Sequence, residues 1–303
     1  MEMPLVSVVM ATFNGERFLE EQLRSIFAQT YRPIELVISD DASEDSTPSI
    51  LSRYEKTPGV QIFYQQKNHG IASNFSFAAS QASGRFMAFS DQDDIWEKNK
   101  IERLVSEIGD SNLIYSDSLL VSENGNSLNK KLSDLRKMYS GSDSRGYFLY
   151  SCVWGHGMMI TRELLQKSLP VPAAVNHDIW IAYQAFMSGG IKYLDEALTK
   201  YRQYDLNNSR RSLLKEDSKE KRWLAYKQKM RWVTLMKQNG RPEFQVFYER
   251  LSDLYTEKEK RAYVFPLVPF MLKHRKAIFQ YSKKGFASHL VEIMKQARNE
   301  KPF

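Results

Sequence analysis

Four times within the first 108 residues, a short β-branched apolar run gives way to a stretch with helical spacing. That alternation restricts the chain more than any other feature. Val6–Met10 is a continuous apolar run of the kind a buried parallel strand needs. From Asn14 to Gln29, Phe18, Leu19, Leu23, Ile26 and Phe27 recur at helical intervals. Ile34–Ile38, Val60–Tyr64 and Phe86–Phe89 repeat the strand pattern. Helices are expected at Thr47–Tyr54, with Pro48 in its first turn, at Ile71–Ala82, stopped by Gly84, and at Glu97–Ile108. Strands alternating with helices require right-handed crossovers and a mostly parallel sheet.

The pattern loosens afterwards. Leu113–Tyr115, Leu119–Val121, Gly157–Ile160, Ile191–Leu194 and Ala197–Tyr201 read as short strands, with a tight turn at Asn124-Gly125. The polar, Ser-rich residues 127–146 read as a mobile loop, and Asp178–Met187 as a helix closed by Gly189-Gly190. From Lys215 only helical patterns follow, broken at Asn239-Gly240-Arg241-Pro242. The expected organisation is a catalytic α/β domain over 1–214, divided into 1–116 and 117–214, and a helical, basic region over 215–303.

Charge is unevenly placed. Residues 257–303 hold eleven lysines and arginines against four acids, whereas the remainder balances. A neutral body with a basic end points to an acidic partner surface, anionic lipid or nucleic acid. The aromatics there cluster with prolines, Tyr263 to Phe270, which suits packing or a membrane surface and not base stacking. No apolar run approaches the roughly 20 residues a spanning helix needs. The first residues read as a strand and not as a signal peptide. The single cysteine, Cys152, excludes an intrachain disulfide and fits a reducing compartment. The expectation is a cytoplasmic protein, peripheral on the inner membrane face if the basic end docks there.

In an open parallel sheet, ligands bind beyond the carboxyl ends of the strands. Here those ends carry Ala11-Thr12-Phe13-Asn14-Gly15-Glu16, then Ser39-Asp40-Asp41, then Asp91-Gln92-Asp93-Asp94. Carboxylates so crowded repel, and a cation or donor-rich ligand would complete the site. Carboxylate oxygens are hard ligands suited to Mg²⁺ or Mn²⁺. The alternative is that Asp91–Asp94 merely caps the following helix.

The blocks VSVVMATFNGERFLEEQLRSIFAQTYRPIELVISDDASEDSTPSIL, NHGIASNFSFA and GRFMAFSDQDDIWEKNKIERL resemble glycosyltransferase family 2, and within it the bacterial rhamnosyltransferase-like group. The resemblance covers about residues 4–203. It implies the GT-A fold, a Rossmann-like and mostly parallel sheet flanked by helices, here with a helical C-terminal extension. It implies that Ala11 and Phe13 hold the nucleobase, Asp41 its imide, and Glu16 the ribose. Asp91, Gln92 and Asp93 would hold the donor's ribose-diphosphate and the metal, with Asp93 the direct ligand beside Asp91. Asp178 matches the catalytic base. Similar enzymes read Tyr-Arg-Gln-His where this chain has Tyr201-Arg202-Gln203-Tyr204, which leaves a third protein ligand in doubt. Arg202 would face phosphate or join an ion pair. His156, His177, Trp96 and Trp180 would line a sugar or acceptor pocket, or simply pack.

The implied activity is inverting transfer of rhamnose or a hexose from a dTDP- or UDP-sugar to a saccharide or lipid-linked saccharide, in bacterial cell-surface polysaccharide synthesis. A catalytically silent nucleotide-sugar-binding protein is the alternative, and a homo-oligomer stays open. An Asp-x-Asp phosphatase normally carries its motif after the first strand, not the fourth.

Overall fold

A computed structural model describes residues 3–172, 175–204 and 219–299. The N-terminal half contains β1 (Val6–Thr12), α1 (Leu19–Phe27), β2 (Ile34–Asp40), α2 (Thr47–Ser52), β3 (Val60–Tyr64), α3 (Ile71–Gln81) and β4 (Phe86–Ser90). Then come β5 (Ile95–Trp96), α4 (Lys100–Glu107), β6 (Leu113–Ser122), β7 (Ser127–Lys131), α5 (Leu132–Leu135) and β8 (Met158–Thr161). Two helices, α6 (Arg162–Ser168) and α7 (His177–Met187), precede the long β9 (Lys192–Gln203). Five more follow: α8 (Lys219–Asn239), α9 (Gln245–Glu257), α10 (Leu267–Lys273), α11 (Arg275–Ile278) and α12 (Phe286–Ala297). No helix among the described residues is long and apolar enough to cross a membrane.

The strands form one mixed sheet in the order β3-β2-β1-β4-β8-β6-β9-β5, with β7 beside β6. β3, β2, β1 and β4 are mutually parallel, and β6 pairs parallel with β9. β8 runs antiparallel between β4 and β6, so six of these nine strands share one direction. β1 is buried almost throughout because helices cover both its faces. Val6, Val8 and Met10 belong to one core with Leu19, Leu23, Ile26, Ile101 and Leu104. Truncating Leu23 to alanine there would cost roughly 2–5 kcal/mol.

The structure departs from the sequence pattern where polar residues are buried. The two strands expected at 113–115 and 119–121 are one strand, β6. Asp117 interrupts the apolar pattern, yet it is buried and its Oδ1 accepts the N–H groups of Ser118 and Ser133. The expected mobile loop over 127–146 is instead, in its first part, a β6–β7 hairpin followed by α5. Its turn carries Gly125 at φ +79°, as the Asn-Gly signal requires. α6 had no expected counterpart, although Thr161 accepts the Leu164 N–H as its N-cap.

The chain divides into two compact units. The first comprises residues 1–135, 140–142 and 153–207 and contains the sheet. The second comprises 136–139, 143–152 and 208–303. Residues 136–139 and 143–152 therefore pack with the C-terminal helices, although the sequence assigned them to the catalytic domain. The expected boundary at 214 lies outside the described residues. Within the second unit, Tyr248 meets Ser144 at 2.6 Å, and Tyr281 donates to the Asp143 carbonyl.

Candidate active site

The loop after β1 is stitched to the loop after β2. Asn14 at φ +48° departs from helical geometry, so α1 begins at Leu19 and not near Asn14. The freed N–H groups find side-chain partners: Asn14 donates to Ser43 Oγ (2.9 Å), Gly15 to Thr47 Oγ1 (2.8 Å) and Glu16 to Asp45 Oδ2 (3.1 Å). Glu16 in turn accepts the Ser46 N–H at 2.9 Å. Phe13 is exposed, and the Gln92 amide clamps its backbone from both sides. The Phe13 N–H donates to Gln92 Oε1 (2.9 Å), and Gln92 Nε2 donates to the Phe13 carbonyl (3.0 Å). A Cβ at position 15 would lie 2.4 Å from Gln92 Oε1, so any larger residue there would displace the Gln92 amide from its clamp on Phe13. Half-buried Ala11 lies in β1 beneath this loop. Asp41 is buried, and its oxygens accept the His69 and Gly70 N–H groups at 2.9 and 2.8 Å. A carboxylate so bonded keeps further lone pairs for another donor.

The acidic motif follows β4. Asp91, Asp94 and His156 bring one ligand-capable atom each within 4.8 Å of one another. His156 Nδ1 lies 3.6 Å from both Asp91 Oδ2 and Asp94 Oδ2, an electrostatic contact too long for a hydrogen bond. Its Nε2 meets Ser118 Oγ at 2.9 Å, so Nδ1 is the nitrogen turned to the carboxylates. Asp94 Oδ2 is buried with no hydrogen-bond partner. Asp93 Oδ2 accepts the Tyr204 hydroxyl at 2.7 Å and stands outside that group. Burial, then the neighbouring Asp94 and Asp91, push Asp93 up to about 7. Asp94 is raised well above the usual range, chiefly by burial and then by Asp91. Burial also pushes Asp91 upward, but His156, His177 and Lys100 outweigh it and hold Asp91 low.

Two buried cations brace this cluster. Lys100 Nζ donates to the His156 carbonyl (2.5 Å) and to Thr199 Oγ1 (2.9 Å), and stands 3.7 Å from the centre of the Trp96 ring. Burial pulls it down to about 7 against the pull of Asp94 and Asp91. Arg202 gives its backbone N–H to Asp94 Oδ1 (3.1 Å), Nε to the Asp93 carbonyl (2.9 Å) and Nη2 to Glu21 (2.6 Å). Nη1 donates to the Glu123 carbonyl, and the guanidinium covers Phe18.

Asp178 occupies the second position of α7, and its Oδ1 accepts the Ile179 N–H at 2.8 Å. Asn176, not Asp178, stands at the N-cap. A Cβ added to Gly155 would sit 3.0 Å from His177 Nε2 and 3.6 Å from Asp178 Cβ, so α7 starts against the turn that carries His156. His177 is buried and stacks on Phe75 at 4.0 Å, with neither ring nitrogen hydrogen-bonded.

The family model named glycosyl transferase family 2 matches residues 7–169, over half the chain. The chain belongs to glycosyl transferase family 2. TuaG of Bacillus subtilis, assigned to teichuronic acid biosynthesis, is 28% identical over 229 residues, which cover 74% of this chain and 88% of TuaG. An uncharacterised glycosyltransferase of Nostoc is 31% identical over 67% of this chain and 66% of its own length. Among solved structures, S. aureus TarS in complex with UDP-GlcNAc superposes with a TM-score of 0.62 at 16% identity, over 97% of this chain and 82% of that one. The mannosyltransferase PcManGT of Pyrobaculum calidifontis, in complex with GDP-Man and Mn²⁺, gives 0.57 at 16%, over 98% and 86%. The sheet and its helices are thus those of the GT-A fold.

In this glycosyltransferase three residues for which the sequence left both a binding role and a packing or ion-pair role make the contacts of the second kind. Arg202 pairs with Glu21, and each of its guanidinium nitrogens makes a hydrogen bond within the protein. Trp96 is 3% exposed beneath Lys100, so neither ring face is open to a sugar. Trp180 is 7% exposed and donates Nε1 to the Ser168 carbonyl, which makes it packing. The sequence reading passed over Asp94 and Lys100 as site residues. For Lys100 a signal existed, because it shares the buried face of α4 with Ile101 and Leu104.

Proposed function

We propose that this chain moves a hexose or rhamnose from a UDP- or dTDP-sugar to a saccharide hydroxyl, with inversion, in cell-surface polysaccharide synthesis. The observation that carries the reading is the grouping of the acidic motif with His156, beside the turn on which α7 presents Asp178. TuaG and the sugar-nucleotide complexes of TarS and PcManGT support the substrate class. Residues 1–116 would hold the donor and 117–214 the acceptor.

The donor set fits a divalent cation, Mg²⁺ or Mn²⁺. Three carboxylates lie in four residues, two of them raised by burial and mutual repulsion, and Asp94 Oδ2 lacks a partner. Asp91 and Asp93 keep exposed surface, whereas Asp94 and His156 are sealed. Asp91 and Asp93 would therefore hold the ion, backed by Asp94 and His156. When bound, it offsets charge on the departing nucleoside diphosphate. Phe13, fixed by Gln92, offers an exposed ring for the nucleobase, and Asp41 an acceptor for its imide N–H. The Asp178 carboxylate takes the proton of the acceptor hydroxyl as that oxygen bonds to the anomeric carbon. The bond from that carbon to the diphosphate oxygen breaks in the same step.

Asp178→Asn tests this, because asparagine keeps the local hydrogen bond and cannot take the proton. Donor binding and melting temperature should hold while transfer drops at least about 100-fold. Transfer within a few-fold of wild type would remove Asp178 from the mechanism. A panel of nucleotide sugars assayed with Mn²⁺ identifies the donor.

A further inference from the structure

The C-terminal unit has a surface that its own interior does not explain. On α12, His289, Ile293 and Ala297 face inward at helical spacing. A second stripe, Val291 and Met294, faces solvent at 59% and 52% exposure. An ordinary surface helix puts polar side chains there. Phe286, Phe265 and Leu272 are exposed as well, at 56%, 74% and 40%. These residues are linked. Tyr263 donates its hydroxyl to Met294 Sδ (3.1 Å) and its ring lies 4.6 Å from that of Phe265. The Arg275 guanidinium covers Phe286 at 4.9 Å. α10, which ends in Leu272 and Lys273, packs on α12.

The charge along this segment is almost all of one sign. From residue 260 to 299 nine lysines and arginines stand against one acid, Glu292. Lys273, Lys276, Lys283 and Lys284 are exposed, and no acidic partner for them exists among the described residues. Unpaired lysines cost nothing in water, but they gain little by clustering unless an anionic surface faces them.

We propose that this face docks on an anionic membrane surface. The lysines engage lipid phosphates, and Phe265, Leu272, Phe286, Val291 and Met294 enter the interfacial layer. Exposed apolar side chains and exposed lysines in the same helical segment match both parts of such a surface, whereas a nucleic acid would leave the aliphatic residues without a partner. Each basic residue near an anionic leaflet contributes about 1 kcal/mol, roughly a fivefold gain, screened by salt.

Flotation with phosphatidylglycerol–phosphatidylcholine vesicles, against phosphatidylcholine alone, tests the proposal on the full chain. Wild type should float with the mixed vesicles at low salt and release at high salt. The combined Lys273→Glu, Lys276→Glu, Lys283→Glu and Lys284→Glu variant should bind at least about 50-fold more weakly. Val291→Ser with Met294→Ser should lower affinity about tenfold. All six positions are exposed, and an unchanged melting curve checks the fold. Three results would overturn the proposal: no flotation of wild type at low salt, variants that bind like wild type, or a dimer in light scattering that the same substitutions dissolve while vesicles bind nothing.

Discussion

The acidic rim after β4 and the basic face of the C-terminal unit use charge in opposite ways. At the rim, Asp93, Asp94, Lys100 and Arg202 are partly or wholly desolvated and held by short bonds to named partners. Their interactions are strong, local and hardly screened by salt. On the C-terminal face, Lys273, Lys276, Lys283 and Lys284 stand in water without acidic partners among the described residues. Individually they do little for stability, and together they set a field that salt removes. Charge inside the sheet unit therefore builds chemistry at a point, and charge on the helical unit builds affinity over an area.

This contrast can be broken or sharpened by experiment. The largest effects belong to the rim. Asp178→Asn should cut transfer at least about 100-fold at any salt concentration, as set out above. Lys100→Met should destabilise the protein by about 2 kcal/mol, because it leaves the buried His156 carbonyl and Thr199 Oγ1 without their donor. Urea unfolding should show a lower midpoint with an unchanged slope. An unaltered midpoint would mean that Lys100 is dispensable there. Next comes the lysine set, about 50-fold on vesicle binding but nothing on transfer to a soluble acceptor. If rim and face were one electrostatic system, that variant would lose both.

A smaller effect concerns pH. Asp93 has a raised folded value, about 7, so the metal-free protein holds that proton more tightly than the unfolded chain. Its contribution to stability is thus present at low pH and is lost as pH rises from about 4 to about 7. Mn²⁺ must displace the same proton, so calorimetry should show affinity falling about tenfold per unit below pH 7. A flat profile from pH 5 to about 8 would exclude Asp93 as a ligand. The smallest effect is at Gln92. Gln92→Ala frees the Phe13 backbone and should weaken nucleotide binding by roughly fivefold, the worth of two exposed hydrogen bonds. Unchanged UDP and dTDP binding would show that Phe13 needs no clamp.

Much of the parallel half could be read directly. Val60–Tyr64 is a strand with the expected limits, and the helix at Ile71 starts where expected. Parallel strands covered on both faces must be continuous apolar runs, and such runs are visible in a single sequence. The order of strands and acidic turns sufficed for the family as well. The mixed half was harder. Ser116-Asp117-Ser118 and Asp195-Glu196 look like breaks, yet each lies inside a single strand, and Asp117, Ser118 and Glu196 are held by partners distant in sequence, as Glu196 is by Arg103 at 2.6 Å.

The sequence by itself determined the fold class, the convergence of carboxylates at the strand ends and the basic excess of the last helices. Periodicity, residue type and net charge are local properties, and no folding is needed to count them. Tertiary structure decided which residues meet: His156 with Asp91 and Asp94, Tyr204 with Asp93, Arg202 with Glu21, and Trp96 beneath Lys100. These pairs are separated by 4 to 181 residues, and hydrogen bonds and desolvation act through space, so chain order alone carries no record of them.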